Sequence, residues 1–209
     1  MRMNAVVRAA LGLAFGAAAL SAQAATLSGN VSADDFLKVY LSTDLTVTDD
    51  ELVLNKTSSW QSAESFSTAL TAGQSVYLLV EARDAFGAPS MFIGSFAIDS
   101  NLFQFSNGTQ QLITDTTEWR VGASGFASAT ATPFSIGALP ALPTWGNFPS
   151  IGSNAQALWM DTGSGQADYS VKTTYFVTRI TAAVPEPTSY AMFGAGLAVL
   201  GAIARRRRG

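Results

Sequence analysis

The side chains able to do chemistry in this chain are almost all carboxylates. Fifteen Asp and Glu residues stand in a 209-residue sequence that holds no histidine and no cysteine. Without imidazole or thiol, His-based general acid–base catalysis, Ser-His-Asp and Cys-His nucleophiles and the usual zinc sites are all excluded. Carboxylates alone can bind hard cations or, as a pair ~5 to 9 Å apart, hydrolyse glycosides. Asp34-Asp35 stands where an alternating run begins, Asp49-Asp50-Glu51 forms a second group, and Asp99 stands apart. Oxygen ligands on loops suit calcium, so Asp34, Asp35 and Asp99 are the expected ligands of a structural calcium, the one cofactor anticipated. Glu64, Glu81, Asp84, Asp115 and Glu118 are available to a surface glycoside hydrolase, but no spacing marks two of them as a pair. No catalytic residue is assigned, and the chain reads as a non-enzymatic protein.

Four tryptophans offer flat apolar faces on which sugar rings could stack. Trp60 and Trp119 adjoin strand-like runs and are expected in the core. Trp145 and Trp159 fall in a stretch rich in glycine and proline; anchoring of that stretch to the core is their leading role, and of the four they are the candidate ligand contacts.

The elements that would position these residues are short strands. In Phe36 to Leu41, Leu37, Val39 and Leu41 share one face while Lys38 and Tyr40 point the other way, the period-two pattern of a strand. Further strands are predicted over 26–31, 51–55, 65–70, 76–83, 91–99, 111–114, 119–121 and 173–181, separated by turn formers such as Thr71-Ala72-Gly73-Gln74 and Ser106-Asn107-Gly108. Val76, Leu78, Val80 and Ala82 alternate with Tyr77, Leu79 and Glu81, so this strand is apolar on most of both sides and belongs in the middle of a sheet. Eight or nine such strands make an all-β, jelly-roll-like antiparallel β-sandwich. Between Gly122 and Gly165 the prolines at 133, 140, 143 and 149 predict a long irregular excursion, folded against the sandwich by Trp145, Phe148, Leu158 and Trp159.

The two ends have a different character. Arg2 and Arg8 precede the apolar stretch Ala9 to Leu20, which runs into Ala22-Gln23-Ala24, the pattern of a secretory signal peptide cut after Ala24 by signal peptidase. At the other end Val184-Pro185-Glu186-Pro187 is followed by Thr188-Ser189, the apolar run Tyr190 to Ala204 and Arg205-Arg206-Arg207-Arg208. Fifteen apolar residues reach only ~22 Å as a helix against a hydrocarbon core of ~30 Å, so this is a short transmembrane helix and a marginal anchor, its arginines held on the cytoplasmic side. The expected organisation is a signal peptide over 1–24, a β-sandwich domain over 25–183 and a tail over 184–209 with its helix at 190–204 and basic cluster at 205–208. From Ala25 to Pro187 six bases meet all fifteen acids, a net charge of −9 that repels phosphate backbones and excludes nucleic acid as a partner. An exported body without disulfides must rest on its core or on a metal.

Two resemblances follow. The order Pro185-Glu186-Pro187, apolar helix and terminal arginines resembles the PEP-CTERM sorting signal of Gram-negative bacteria. That likeness implies recognition by an exosortase, tail removal near the motif, and a passing stay at the inner membrane. The body resembles galactose-binding-like jelly rolls, on Ser32-Ala33-Asp34-Asp35-Phe36-Leu37-Lys38-Val39-Tyr40-Leu41, Trp60, Phe66, Leu70, Gly73-Gln74, Val76 to Ala82, Pro89 to Ile98, Ile113 to Arg120 and Thr174-Tyr175-Phe176-Val177. This second likeness implies the sandwich fold and a carbohydrate ligand. Together they predict an exported component of the cell envelope or of an exopolysaccharide or biofilm matrix that holds polysaccharide, with a surface hydrolase and a purely structural matrix protein as the alternatives.

Overall fold

A computed structural model of the chain describes residues 25–57, 59–140, 142, 144–183 and 187–207. The expected signal peptide with Ala22 and Ala24, the motif residues Val184, Pro185 and Glu186, and Arg208 lie outside the described residues. The described chain forms β1 (Ala25–Asp34), β2 (Phe36–Ser42), β3 (Leu52–Lys56), β4 (Glu64–Leu70), β5 (Val76–Arg83), β6 (Met91–Ile98), β7 (Phe103–Phe105), β8 (Gln111–Ile113), β9 (Arg120–Gly122), β10 (Phe134–Ala138), β11 (Gln156–Trp159), β12 (Thr173–Ala182) and one helix, α1 (Pro187–Arg206). The strands build two six-stranded antiparallel sheets. The first is ordered β10-β11-β6-β1-β4 with β8 also on β6, and the second β3-β2-β5-β12-β7 with β9 also on β12. Only the β2–β3 and β10–β11 connections stay within a sheet, and every other one crosses to the opposite sheet, the winding of a jelly roll. The predicted all-β sandwich is therefore what the chain forms.

Alternation decides which side chains meet between the sheets. Leu37 and Val39 of β2 and Val76, Leu78, Val80 and Ala82 of β5 face inward and are buried. They meet an aromatic file from both sheets: the Phe66 and Phe96 rings lie 6.2 Å apart, Phe96 and Trp119 5.5 Å, Phe92 and Trp119 5.4 Å, Phe92 and Phe176 4.9 Å, and Trp159 and Phe176 6.4 Å. The tilted and edge-on ring pairs add to area burial, since the ring quadrupoles disfavour flat face-to-face stacking. A Cβ at Gly29 would stand 2.5 Å from the Phe66 ring, so only glycine leaves that ring its place.

Both sheets are also covered on part of their outer faces. Met91 and Ile93 of β6 pack outward against Leu139, Leu142, Trp145, Phe148 and Ile151 from the β10–β11 connection. On the second sheet, Tyr40 and Leu79 pack outward under Phe126, with Leu45 and Val47 alongside. These coverings explain why Tyr40, read as an outward residue, is nevertheless buried.

Three features differ from the sequence reading. Strands β7, β10 and β11 form where none was expected, two of them inside the stretch read as irregular. Prolines at 140 and 149 flank or follow these strands rather than interrupt them, and the shift of register between Ser135 and Gly137 absorbs the glycine. Leu158 and Trp159 accordingly belong to a strand in the inter-sheet core, whereas Trp145 and Phe148 hold the connection to the outer face. The tail helix begins at Pro187, a favourable first helical residue, rather than at Tyr190, and ends at Arg206. No helix of the described residues is long and apolar enough to cross a membrane. That corrects the transmembrane expectation for 190–204: alanine and glycine supply much of α1, and Thr188-Ser189 and Arg205-Arg206 occupy its ends.

Phe92 touches both Trp119 and Phe176 at the centre of the aromatic file. Phe92→Ala should lower unfolding free energy by about 3–5 kcal/mol, read from urea denaturation with an unchanged slope. A loss below about 1 kcal/mol would show that the file does not hold the sheets together.

Candidate functional site

The densest group of buried charge lies where β1 turns into β2 and β5 leaves for β6. Asp35 follows the end of β1, and its backbone N–H donates to the Arg83 carbonyl at 2.9 Å. Its Oδ2 accepts the Ala85 N–H at 2.9 Å, so it ties the first turn to the second. Asp84 is buried and surrounded by donors. Oδ1 accepts the N–H groups of Phe86 and Gly87 at 2.9 and 2.7 Å, while Oδ2 accepts the Ser90 hydroxyl at 2.9 Å and the Lys172 ammonium at 2.8 Å. Lys172 immediately precedes β12, and the backbone repeats the tie, because the Asp84 N–H donates to the Lys172 carbonyl at 2.9 Å. Asp34 completes the group: its Oδ2 accepts the Trp145 indole N–H at 2.8 Å and so fixes the β10–β11 connection to the end of β1.

The electrostatics of the two flanking carboxylates run in opposite directions. Burial comes first for Asp34 and pushes its pKa up to about 6; the Trp145 hydrogen bond opposes the rise, while the nearby Asp35 and Asp84 charges reinforce it. For Asp84 burial also favours the neutral acid, but donation from Lys172, Gly87, Ser90 and Phe86 outweighs it and holds the carboxyl below the usual range. The buried Lys56 belongs to the same region. Its ammonium donates to the Ser59 carbonyl at 2.9 Å, and desolvation lowers its pKa against the pull of Glu64, Asp34 and Asp35.

The three expected calcium ligands do not come together here. Asp99 does not join Asp34 and Asp35. Its Oδ1 accepts the Thr26 N–H at 2.7 Å at the start of β1, eight residues or ~26 Å of strand away from Asp34. Both Asp84 oxygens are occupied by protein donors, and among the described residues no group of three or more His, Cys, Asp or Glu is placed to hold a metal. In the other acidic group, Glu51 closes a capping box with Thr48, whose N–H and hydroxyl donate to Oε2 at 2.9 and 3.0 Å. Elsewhere, Asp115 Oδ1 accepts the N–H groups of Thr117 and Glu118. These carboxylates shape turns.

The two candidate ligand tryptophans are enclosed. Trp159 is fully buried, with its indole N–H on the Val171 carbonyl at 3.3 Å, and Trp145 is only 6% exposed. A ring enclosed by its own protein has no face left for a sugar. Trp119 is fully buried as expected, and Trp60 is half-buried against the outer cluster. Sequence reasoning missed the role of Asp84 and Lys172, which stand 88 residues apart. The local signal was there in Asp84-Ala85-Phe86-Gly87, an Asp followed by a tight turn with glycine, but its cation was not.

Comparison with known proteins adds the function of the tail. Residues 183–208 match the PEP-CTERM protein-sorting motif. That motif marks an exported, cell-envelope-associated protein sorted by an exosortase. No curated protein and no solved structure matches the chain. The match lies in the tail alone and assigns nothing to the sandwich.

Two outcomes follow. A carboxyl whose folded pKa is raised stabilises the fold while protonated, so the Asp34 contribution is full below pH 3.8 and is lost as pH rises through about 6. The lowered Asp84 acts oppositely: its contribution is present above the ordinary Asp range and disappears as pH falls through its folded value. Between pH 4 and 6.5, the urea midpoint should decline with pH in the wild type and decline less in Asp34→Asn; parallel curves would remove Asp34 as the titrating group. A chelator should leave the thermal midpoint unchanged, and a drop of several degrees would restore a structural cation.

Proposed function

We propose that the chain is a non-enzymatic component of the outer surface or extracellular matrix of a Gram-negative bacterium, delivered through signal peptidase and exosortase and held near exopolysaccharide. The sorting motif at residues 183–208 is the observation that carries this reading. The tail is removed after a transient stay at the inner membrane, and its removal leaves an acidic sandwich outside the cell. The hydrogen bonding of the carboxylates supports a structural rather than a catalytic part for them. Asp35, Asp84, Asp99 and Asp115 accept hydrogen bonds from backbone N–H groups that fix turns, whereas a glycosidase needs two carboxyl groups facing a substrate. With no cysteine to form a disulfide, the sandwich relies on its packed aromatic rings for cohesion.

Intact-mass measurement on protein recovered from the native envelope and medium tests the reading. The expected species lacks residues 1–24 and the chain beyond the Pro-Glu-Pro motif. An uncut chain recovered from the cytosol with its arginines attached would end it.

A further inference from the structure

The outer face of the second sheet carries an open cavity of about 350 Å³ at the edge where β3, β2 and β5 run side by side. Register places its residues. Phe36 stands opposite Arg83, Lys38 opposite Glu81 on one side and Asn55 on the other, and Thr57 follows the end of β3. Even spacing along β2 and β5 turns Phe36, Lys38, Glu81 and Arg83 to the same outward face, with the diagonal Lys38 and Arg83 stems ~7–8 Å apart. The Arg83 guanidinium lies 5.9 Å from the Phe36 ring centroid, over a ring that lines the same cavity.

Lys38 and Arg83 outnumber Glu81 in this cavity and leave it one net positive charge. Residues 25–187 hold six bases against fifteen acids, and two of the six stand here. Among the described residues neither Lys38 nor Arg83 takes part in an ion pair, although Glu81 lies directly across from Lys38. Lysine and arginine left unpaired in so acidic a body form a local positive site within a repulsive field, and such a site selects an anion that also makes short-range contacts. A compact dianion such as phosphate brings twice the charge of a uronate toward the Glu81 carboxylate and offers no C–H face to Phe36. A ring with one carboxylate, several hydroxyls and a C–H face fits the polar and aromatic lining groups: Arg83 and Lys38 take the carboxylate, Glu81, Asn55 and Thr57 the hydroxyls, and the Phe36 ring the C–H face.

We infer that the Phe36–Lys38–Asn55–Glu81–Arg83 cavity on the outer face of the second sheet binds a uronic acid residue of an acidic polysaccharide. The inference deepens the envelope or matrix assignment, on which it rests for the polymer's presence but not for the site's chemistry. It also locates the saccharide away from Trp145 and Trp159.

Titration calorimetry on the processed protein, with oligogalacturonate, neutral galactose oligomers of equal length and inorganic phosphate as probes, tests the site. Oligogalacturonate should bind, phosphate and the neutral oligomers at least about tenfold more weakly. Lys38→Met and Arg83→Gln should each weaken oligogalacturonate binding by about tenfold, the loss of one charge-assisted contact, with thermal midpoints close to the wild type. Arg179→Gln removes a charge from the far end of the same face, where that guanidinium lies 5.9 Å from the Tyr77 ring, and should leave binding unchanged. Equal binding of neutral oligomers, equal binding of phosphate, an Arg179→Gln loss matching that of Arg83→Gln, or no oligogalacturonate binding at all would each overturn the site. Protein still found processed outside the cell in that event would leave the envelope assignment intact, whereas uronate binding by an uncut cytosolic chain would keep the site and discard the assignment.

Discussion

The fold depends on a continuous file of aromatic rings between the two sheets. Phe66, Phe96, Trp119, Phe92, Phe176 and Trp159 come from β4, β6, the approach to β9, β12 and β11, and each ring pair joins residues remote in sequence. In an exported chain with no disulfide, burial of these large side chains must supply most of what holds the layers together. The backbone yields to the rings in return: Gly29 and Gly94 lie where a Cβ would come within 3 Å of Phe66 or Phe96. Two glycines inside strands, unfavourable by backbone entropy, are retained because the rings need the space.

Around that file the acids do the work of cross-links. Asp84 joins its own turn to the start of β12 through Lys172, Asp35 joins the β1–β2 turn to the residues after β5, and Asp34 reaches Trp145 in the β10–β11 connection. At the opposite end Asp99 fastens the start of β1. A buried carboxylate is tolerated only where donors compensate its lost hydration, and Asp84 has four of them. Lys172 remains half-exposed, so the pair contributes by satisfying Asp84 more than by Coulomb attraction.

Legibility in the sequence followed the range of the forces involved. Strand β5 was readable to its ends, Val76–Arg83, because alternation and the flanking turns are local. Strands β10 and β11 were hidden by the prolines and glycines around them, and Leu158 finds its partner Phe92 across 66 positions. The same distinction explains the site residues. Asp34, Asp35 and Asp99 look alike as acids before or after strands, yet the register of β1 against β6 carries Asp99 to the far end of the strand. Trp159 and Trp145 look like loop aromatics until the sandwich closes over the first and the outer sheet face takes up the second.

The sequence alone determined the all-β class, the acidic body, the exclusion of imidazole and thiol chemistry, and the sorting tail, because each depends on composition or on neighbours within a few residues. Only tertiary structure decided which acids meet, which tryptophans are enclosed, and which two cations share a cavity with an aromatic ring. Those outcomes are set by strand register and by the crossing of the chain between sheets, which bring together residues tens of positions apart.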